Sequence, residues 1–472
     1  MKNYKRVFAG VLAVGMAFAA ASCGKNDDKK DSSSFEATNN VKVEEEDSIS
    51  AIPEGADGNL LYLGEGDLNP TPGNPETSTE LTLFQQKGGS ITYSATTHDQ
   101  RFDKLAAAIT ANKDVPDIFK YEWIAFPSQI VREMYQPIDS IVDFDSALWA
   151  PTKEVADQFV LNGEHYVAPV GYEASAMLCY DHSVIEAEGL EDPYELYLND
   201  EWTWSKWSDI MADYVGGADG DTERYGVNGF FKTHYVQQTG KRLVEYDQAS
   251  NTFTSNLKDP DIEKAENNLY DMNKSGLILG GWIGSASDCF KQNCLFFGMG
   301  DWAYTGNSGP KEGDDWRIVP IPASDDNPQK ITTSNMTAYM WVKGSEKADA
   351  VKCWYECNRV AKTDEKYAEI NKQKFMENNP YWTDEMYDVR MDVISDNYLM
   401  IFDYVFGISN TLGDEKSFDG NQKLADYLYG AVTTTDDDGN QPTWAQVREE
   451  YSATVDSEIK DINERLAALE GN

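Results

Sequence analysis

Asp301 and Trp302 put a carboxylate next to an indole just after an apolar run at residues 295–297. A carboxylate accepts hydrogen bonds from hydroxyls or amines, and an indole face packs on the apolar face of a ligand. The pair therefore suits noncovalent recognition. Gly298 and Gly300 permit backbone geometry that side chains forbid, so residues 288–302 read as a buried strand delivering a polar and aromatic tip to a cavity. The spacing fits equally a core strand running into an ordinary turn, with Trp302 as packing. Covalent chemistry has less to stand on. With 81 acidic residues, a carboxylate pair of the kind that hydrolyses glycosides is easy to find by chance. The sequence shows no nucleophile elbow, no metal cluster and only 4 His.

Such side chains need a scaffold, and the first half of the chain supplies one. Residues 60–63 form a short apolar strand, 80–87 a helix stopped by Gly88-Gly89, 91–95 an alternating strand, 102–112 an Ala-rich amphipathic helix, and 117–121 a third strand. Strand, helix, strand, helix, strand at this spacing predicts α/β architecture, a parallel sheet with crossover helices. Ligands of such sheets bind at the carboxyl ends of the strands, which nominates Glu65, Asp67, Tyr121, Glu122 and Trp123.

The chain has 472 residues, enough for two or three compact domains, and its 12 Trp and 26 Tyr argue for folded cores. A formal net charge of -41 opposes binding to a phosphate backbone, which needs clustered Lys and Arg, so nucleic acid is excluded as a partner. The acidity leaves cationic ligands open.

Lys2, Lys5 and Arg6 precede an apolar run at 7–20 and then Ala20-Ala21-Ser22-Cys23. This segment resembles a bacterial lipoprotein signal peptide, with Ala20 where that pattern prefers Leu. The resemblance implies that residues 1–22 are removed and that Cys23 is lipidated, which anchors the protein on the extracytoplasmic face of the cell membrane without spanning it. Residues 23–54 are almost entirely polar and are expected to be a disordered tether. The other five cysteines lack framework-like spacing and read as small buried hydrophobes, with Cys289 to Cys294 the one bridge worth checking.

Several further pieces share one register: Lys104 to Ile109 followed by Val115-Pro116-Asp117-Ile118-Phe119, Gly163 to Pro169, and Cys179-Tyr180-Asp181. They continue through Trp202 to Trp207, Arg224 to Val227, Gly300-Asp301-Trp302, Val319 to Pro322 and Thr443 to Val447. Together they resemble the maltose-binding-like class of bacterial extracellular solute-binding proteins, the substrate-binding lipoproteins of ABC importers, over about residues 59–465. The resemblance implies a two-lobed periplasmic-binding-protein-like fold with a multi-strand hinge and discontinuous lobes. The first lobe would hold 55–170 and 340–390, the second 171–339 and 391–472. Two stretches read as hinges on their own residues: 168–173, with Pro169 and Gly171 in an extended run, and the short polar stretch 331–339. It also implies a monomer without a cofactor that hands its ligand to membrane permease subunits.

The same resemblance implies that Glu173 lies at the cleft base, that Trp302 forms a stacking wall beside Asp301, and that Phe231 and His234 lie with Phe230 on the second lobe's rim. Trp282, Trp382 and Tyr404 are further candidate walls, or core; Trp204 and Trp207 are packing. Aromatic faces beside carboxylates suit neutral carbohydrates, whose C–H faces stack on indoles while acids and amides take the hydroxyls. The expected ligand is a sugar or oligosaccharide. The alternatives are a polyamine or peptide, favoured if cleft acids outnumber aromatic walls, and an anchored glycoside hydrolase. Acidic loops at 219–223 and 436–440 have part of a calcium-loop pattern but lack its terminal Glu, and read as solvated turns.

Overall fold

The computed structural model describes residues 37, 38, 43, 46–175, 177–220, 222–327, 329–333, 335–414, 418, 422–435 and 439–470. The signal segment, Cys23 and most of the tether lie outside them. The first sheet forms as the alternating pattern predicts. Strand β1 (Asn59–Gly64) pairs in parallel with β2 (Ser90–Ala95) on one side and β3 (Ile118–Lys120) on the other. The crossovers are α1 (Thr79–Gln86), started by the Ser78 side chain accepting from Leu81 N, and α2 (Arg101–Ala111), ended by Asn112 in the left-handed region. Gly89 is needed where α1 turns back, because a Cβ there would meet the Phe84 ring at 2.4 Å.

β14 (Asn335–Trp341) runs antiparallel to β3, and β6 (Ala168–Glu173) completes the order β2-β1-β3-β14-β6. The second sheet has the order β12-β7-β11-β8: β12 (Trp316–Pro320), β7 (Met177–Asp181), β11 (Cys294–Met299) and β8 (Tyr225–Gly229). Smaller pairs are β4 (Val160–Leu161) with β5 (Glu164–His165), β9 (Val244–Asp247) with β10 (Thr252–Ser255), and β13 (Ile331–Thr332) with β15 (Leu399–Met400).

Each sheet thus centres one α/β lobe, and the chain crosses between them as β6 leads into β7 and as β13 leads back into β14. Ser175 ties the two crossings together: its hydroxyl donates to Thr333 O (2.6 Å) and accepts from Asn335 N (2.9 Å). Both stretches nominated as hinges are these crossing strands.

Two boundaries differ from expectation. Residues 46–50, assigned to the tether, pack on the first lobe, with Ile49 buried against the core around Leu60 and Trp354. Glu46 bonds to Lys366 and to the Tyr367 hydroxyl, and Ser50 N donates to Glu356 Oε2 at 2.6 Å. One apolar side chain with charge-assisted partners is enough to dock a polar segment. Residues 380–390, placed in the first lobe, instead share a core with the second sheet, where Trp382, Met386 and Val389 join Phe297 and Ile318. The C-terminal segment beyond β15 does not belong to one side. Phe406 meets Trp123 edge-on at 4.9 Å, whereas the helix Trp444–Glu470 places Asn463 against Phe253. Trp204 and Trp207 are core, as expected.

Candidate functional site

A cleft of about 1140 Å³ opens where the carboxyl ends of β1 and β3, the hinge strands and Phe230 meet. Its position follows from topology: parallel strands end their hydrogen-bond ladder there and the loops diverge. Glu65, Asp67, Tyr121, Glu122, Trp123 and Glu173 all line it. They do not play equal parts. Asp67 spends its carboxylate on its own turn, accepting from Asn69 N and Nδ2 at 2.9 Å each. Glu65 is exposed and faces His98 Nδ1 at 3.0 Å. Tyr121 is almost buried against Phe159, and burial pushes its phenol up from its ordinary range.

Glu122 and Trp123 present the polar and aromatic surface of the first lobe. Arg101 holds Glu122, with Nε on Oε2 at 2.5 Å, and its guanidinium lies 4.9 Å from the Phe102 ring centre. Nothing in the sequence marks Arg101 as a site residue, since an arginine opening an amphipathic helix resembles any solvated first-turn charge. The Trp123 indole donates to Asn335 Oδ1 at 3.0 Å. That bond ties the ring to a hinge strand, where it is half-buried and lines the cleft. Glu173 is exposed at the cleft base, accepting from Thr337 Oγ1 at 3.0 Å.

The second lobe contributes Phe230, 36% exposed, at the end of β8. Its neighbours are corrected: Phe231 is fully buried against Trp207 at 5.6 Å, and His234 is enclosed with its ring edge-on to Phe230 at 5.6 Å. The chain bends between the end of β8 and the helix Lys232–Gln237, so Phe230 lines the cleft while Phe231, just ahead of the helix, turns inward. Burial lowers His234 to a pKa of about 4. Trp382 and Tyr404 are also core rather than wall. The Trp382 indole donates to Tyr304 O at 2.6 Å, and the Tyr404 hydroxyl to Gln158 O at 2.7 Å.

Asp301 and Trp302 leave the end of β11 toward the hinge. Asp301 N donates to Ala174 O (2.9 Å), and Arg390 Nε donates to its carboxylate (2.8 Å). Burial raises the Asp301 carboxyl above its usual range, Arg390 opposes the rise, and Glu173 adds to it. Trp302 and Trp282 stand 57% and 71% exposed, so neither is core. They lie outside the residues lining the cavity itself. Cys289 and Cys294 are buried free thiols. Of the two acidic loops, Asp221 and residues 436–438 lie outside the described residues.

Lining carboxylates outnumber the cleft's aromatic residues. Glu122 is compensated by Arg101, and Lys423 lies 6.0 Å from the Trp123 ring. No helix among the described residues is long and apolar enough to cross a membrane.

Two α/β lobes with strands crossing between them and an open cleft at the sheet ends define a two-lobed binding protein. Residues 82–371 match the family model of the bacterial extracellular solute-binding proteins, and the chain belongs to that family. No curated protein matches it. Among solved structures it is similar to the sugar-binding protein MalE of Xanthomonas citri, with TM-score 0.56 and 14% identity over 87% of this chain and 98% of that one. It is also similar to a substrate-binding protein of Listeria monocytogenes in complex with cycloalternan, with TM-score 0.52 and 14% identity over 88% and 99%. A third is the binding protein of B. animalis subsp. lactis in complex with beta-1,6-galactobiose, with TM-score 0.53 and 16% identity over 86% and 98%. At these identities the likeness speaks for the fold.

Proposed function

We propose that the protein captures a neutral sugar or oligosaccharide between its lobes and delivers it to an ABC permease, acting as a binder without turnover. The observation that carries this reading is that one cleft is lined by aromatic side chains from both lobes, Trp123 and Phe230, together with the carboxylates of Glu122 and Glu173 as hydroxyl acceptors. Stacking on the apolar faces of a sugar and charge-assisted bonds to its hydroxyls together offset the loss of its hydration. The sugars named for similar structures support the same class. Lipidation at Cys23 would hold the protein beside the permease as a monomer on the extracytoplasmic face, with the polar segment as its leash. The lobes would close about the crossings at Ser175 and Thr333, the ligand favouring the closed form by touching both sides.

A second reading, a polyamine or cationic peptide as ligand, draws on the excess of lining carboxylates. Isothermal titration of the purified chain separates the two. Neutral mono- and oligosaccharides should give heat and raise the melting temperature. Heat from spermidine or a lysine-rich peptide, with none from any sugar, would replace the first reading by the second.

A further inference from the structure

The polar leader is bound to the first lobe well ahead of β1. Thr38 makes a parallel bridge to Glu76, with Thr38 N donating to Pro75 O and Thr77 N to Thr38 O at 2.8 Å each. Val43 packs on the core around Leu60 and Trp354, and its carbonyl accepts from Gln86 Nε2 at 3.3 Å. Glu46 O accepts from Lys87 Nζ at 2.8 Å, while the Glu46 carboxylate takes Lys366 and the Tyr367 hydroxyl. Ile49 and Ser50 complete the grip on the core and on Glu356. Contacts at successive points share the cost of ordering a segment that has little apolar surface to bury.

These contacts run in one direction along the lobe. Glu76 lies four residues before Glu80, which lines the cleft in the first turn of α1. Gln86 and Lys87 lie at the other end of α1, where the chain turns back into β2 beside the start of β1. The helix Glu365–Asn378 repeats the order, with Lys366 in its first turn holding Glu46 and Lys374 holding Glu76. Those two lysines are eight residues apart, a helical rise of about 12 Å. Thr38 is therefore at the cleft end of the first lobe and Glu46 at the far end. The chain enters β1 at that far end, where Gly58 lies so close to Gly88 that a Cβ would meet its carbonyl oxygen at 2.5 Å.

We propose that residues 38–50 are a strap that carries the leader along α1 and the helix Glu365–Asn378, so that it departs from the first lobe at the cleft end. The partners named above all belong to that lobe, so the strap holds the leader to one side of the hinge and leaves the second lobe free to move against it. The strap stands on these contacts alone. Its use rests on the lipidation at Cys23 proposed above. The fifteen residues from Cys23 to Thr38 reach at most about 50 Å, whereas the thirty-six from Cys23 to Asn59 would reach about 120 Å. Docking the strap thus more than halves the range of an anchored protein.

Two measurements on the full chain carrying Cys23→Ala test the strap whether or not the anchor exists, since the other five cysteines are buried. In the first, nitroxides are placed at Ala37→Cys, which is exposed, and at Gly73→Cys, where a Cβ would meet nothing. Their spectra should show dipolar broadening, and a pair at Ala37→Cys and Glu54→Cys, toward the far end, should show less. No broadening in the first pair, or more in the second, overturns the departure point. In the second, Glu46→Lys and Lys366→Glu should each lower the melting temperature by several degrees, and the double variant should regain most of the loss. A double variant that loses as much as the two single ones together overturns the grip at Glu46. A Cys23→Ala protein that stays in the membrane fraction overturns the anchor and the leash length, and the spectra still decide the strap.

Discussion

His234 sits beneath Phe230, fully enclosed, with no hydrogen-bond partner for Nδ1 among the described residues. Its folded pKa of about 4 lies below the ordinary 6.5, so between these values the unfolded chain binds the extra proton. Stability supplied by the neutral imidazole is complete above pH 6.5 and falls as pH drops toward 4, by on the order of 1 kcal/mol per pH unit. Melting temperatures measured from pH 7 to pH 4 should show this acid limb, and His234→Gln should flatten it; an identical limb in the variant would assign the loss elsewhere. Trp302→Ala should weaken sugar binding by about tenfold, the scale of one stacked ring, and unaltered affinity in titration would return Trp302 to mere display. At this scale the sequence showed the acids and rings at the strand ends. It could not tell Phe230 from Phe231, because the exposure of adjacent residues depends on how the chain bends between β8 and the helix at Lys232. Nor did it show Arg101 as the clamp on Glu122, since that pairing joins residues 21 apart.

Among the elements, polar contacts tie the two crossings to each other. Ser175 joins the two crossing segments with one donated and one accepted bond, each contributing about 1 kcal/mol. Ser175→Ala should therefore lower stability by about 1–2 kcal/mol and shift the sugar dissociation constant, both measurable by calorimetry with and without ligand. A variant with parental melting and parental affinity would remove Ser175 from hinge control. Strand and helix periodicity made the first sheet readable, because short βαβ units declare themselves locally. The docking of residues 46–50 was hidden in a polar run: only Ile49 marks it, and the charged partners of Glu46 and Ser50 at Lys366 and Glu356 lie more than 300 positions away. The placement of residues 380–390 was hidden for the same reason, since Trp382 and Arg390 find partners at 304 and 301.

For the whole molecule, the proposed closure and the proposed anchoring are tested separately. A sugar that touches both lobes should reduce the radius of gyration in small-angle scattering, and an unchanged profile at saturating ligand would argue against lobe closure. Cys23→Ala should move the protein from the membrane fraction to the soluble one while leaving sugar affinity unchanged. Retention in the membrane fraction would point to another attachment. The sequence by itself determined the α/β class, the strand ends that face the cleft, and, through matching residues over much of its length, the solute-binding family. Those features are local or repeated, so they survive as patterns along the chain. Only the tertiary structure decided which aromatics face solvent and which charges clamp the site. The chain meets these partners by crossing between sheets, and the neighbours set by such crossings leave no spacing in the sequence to read.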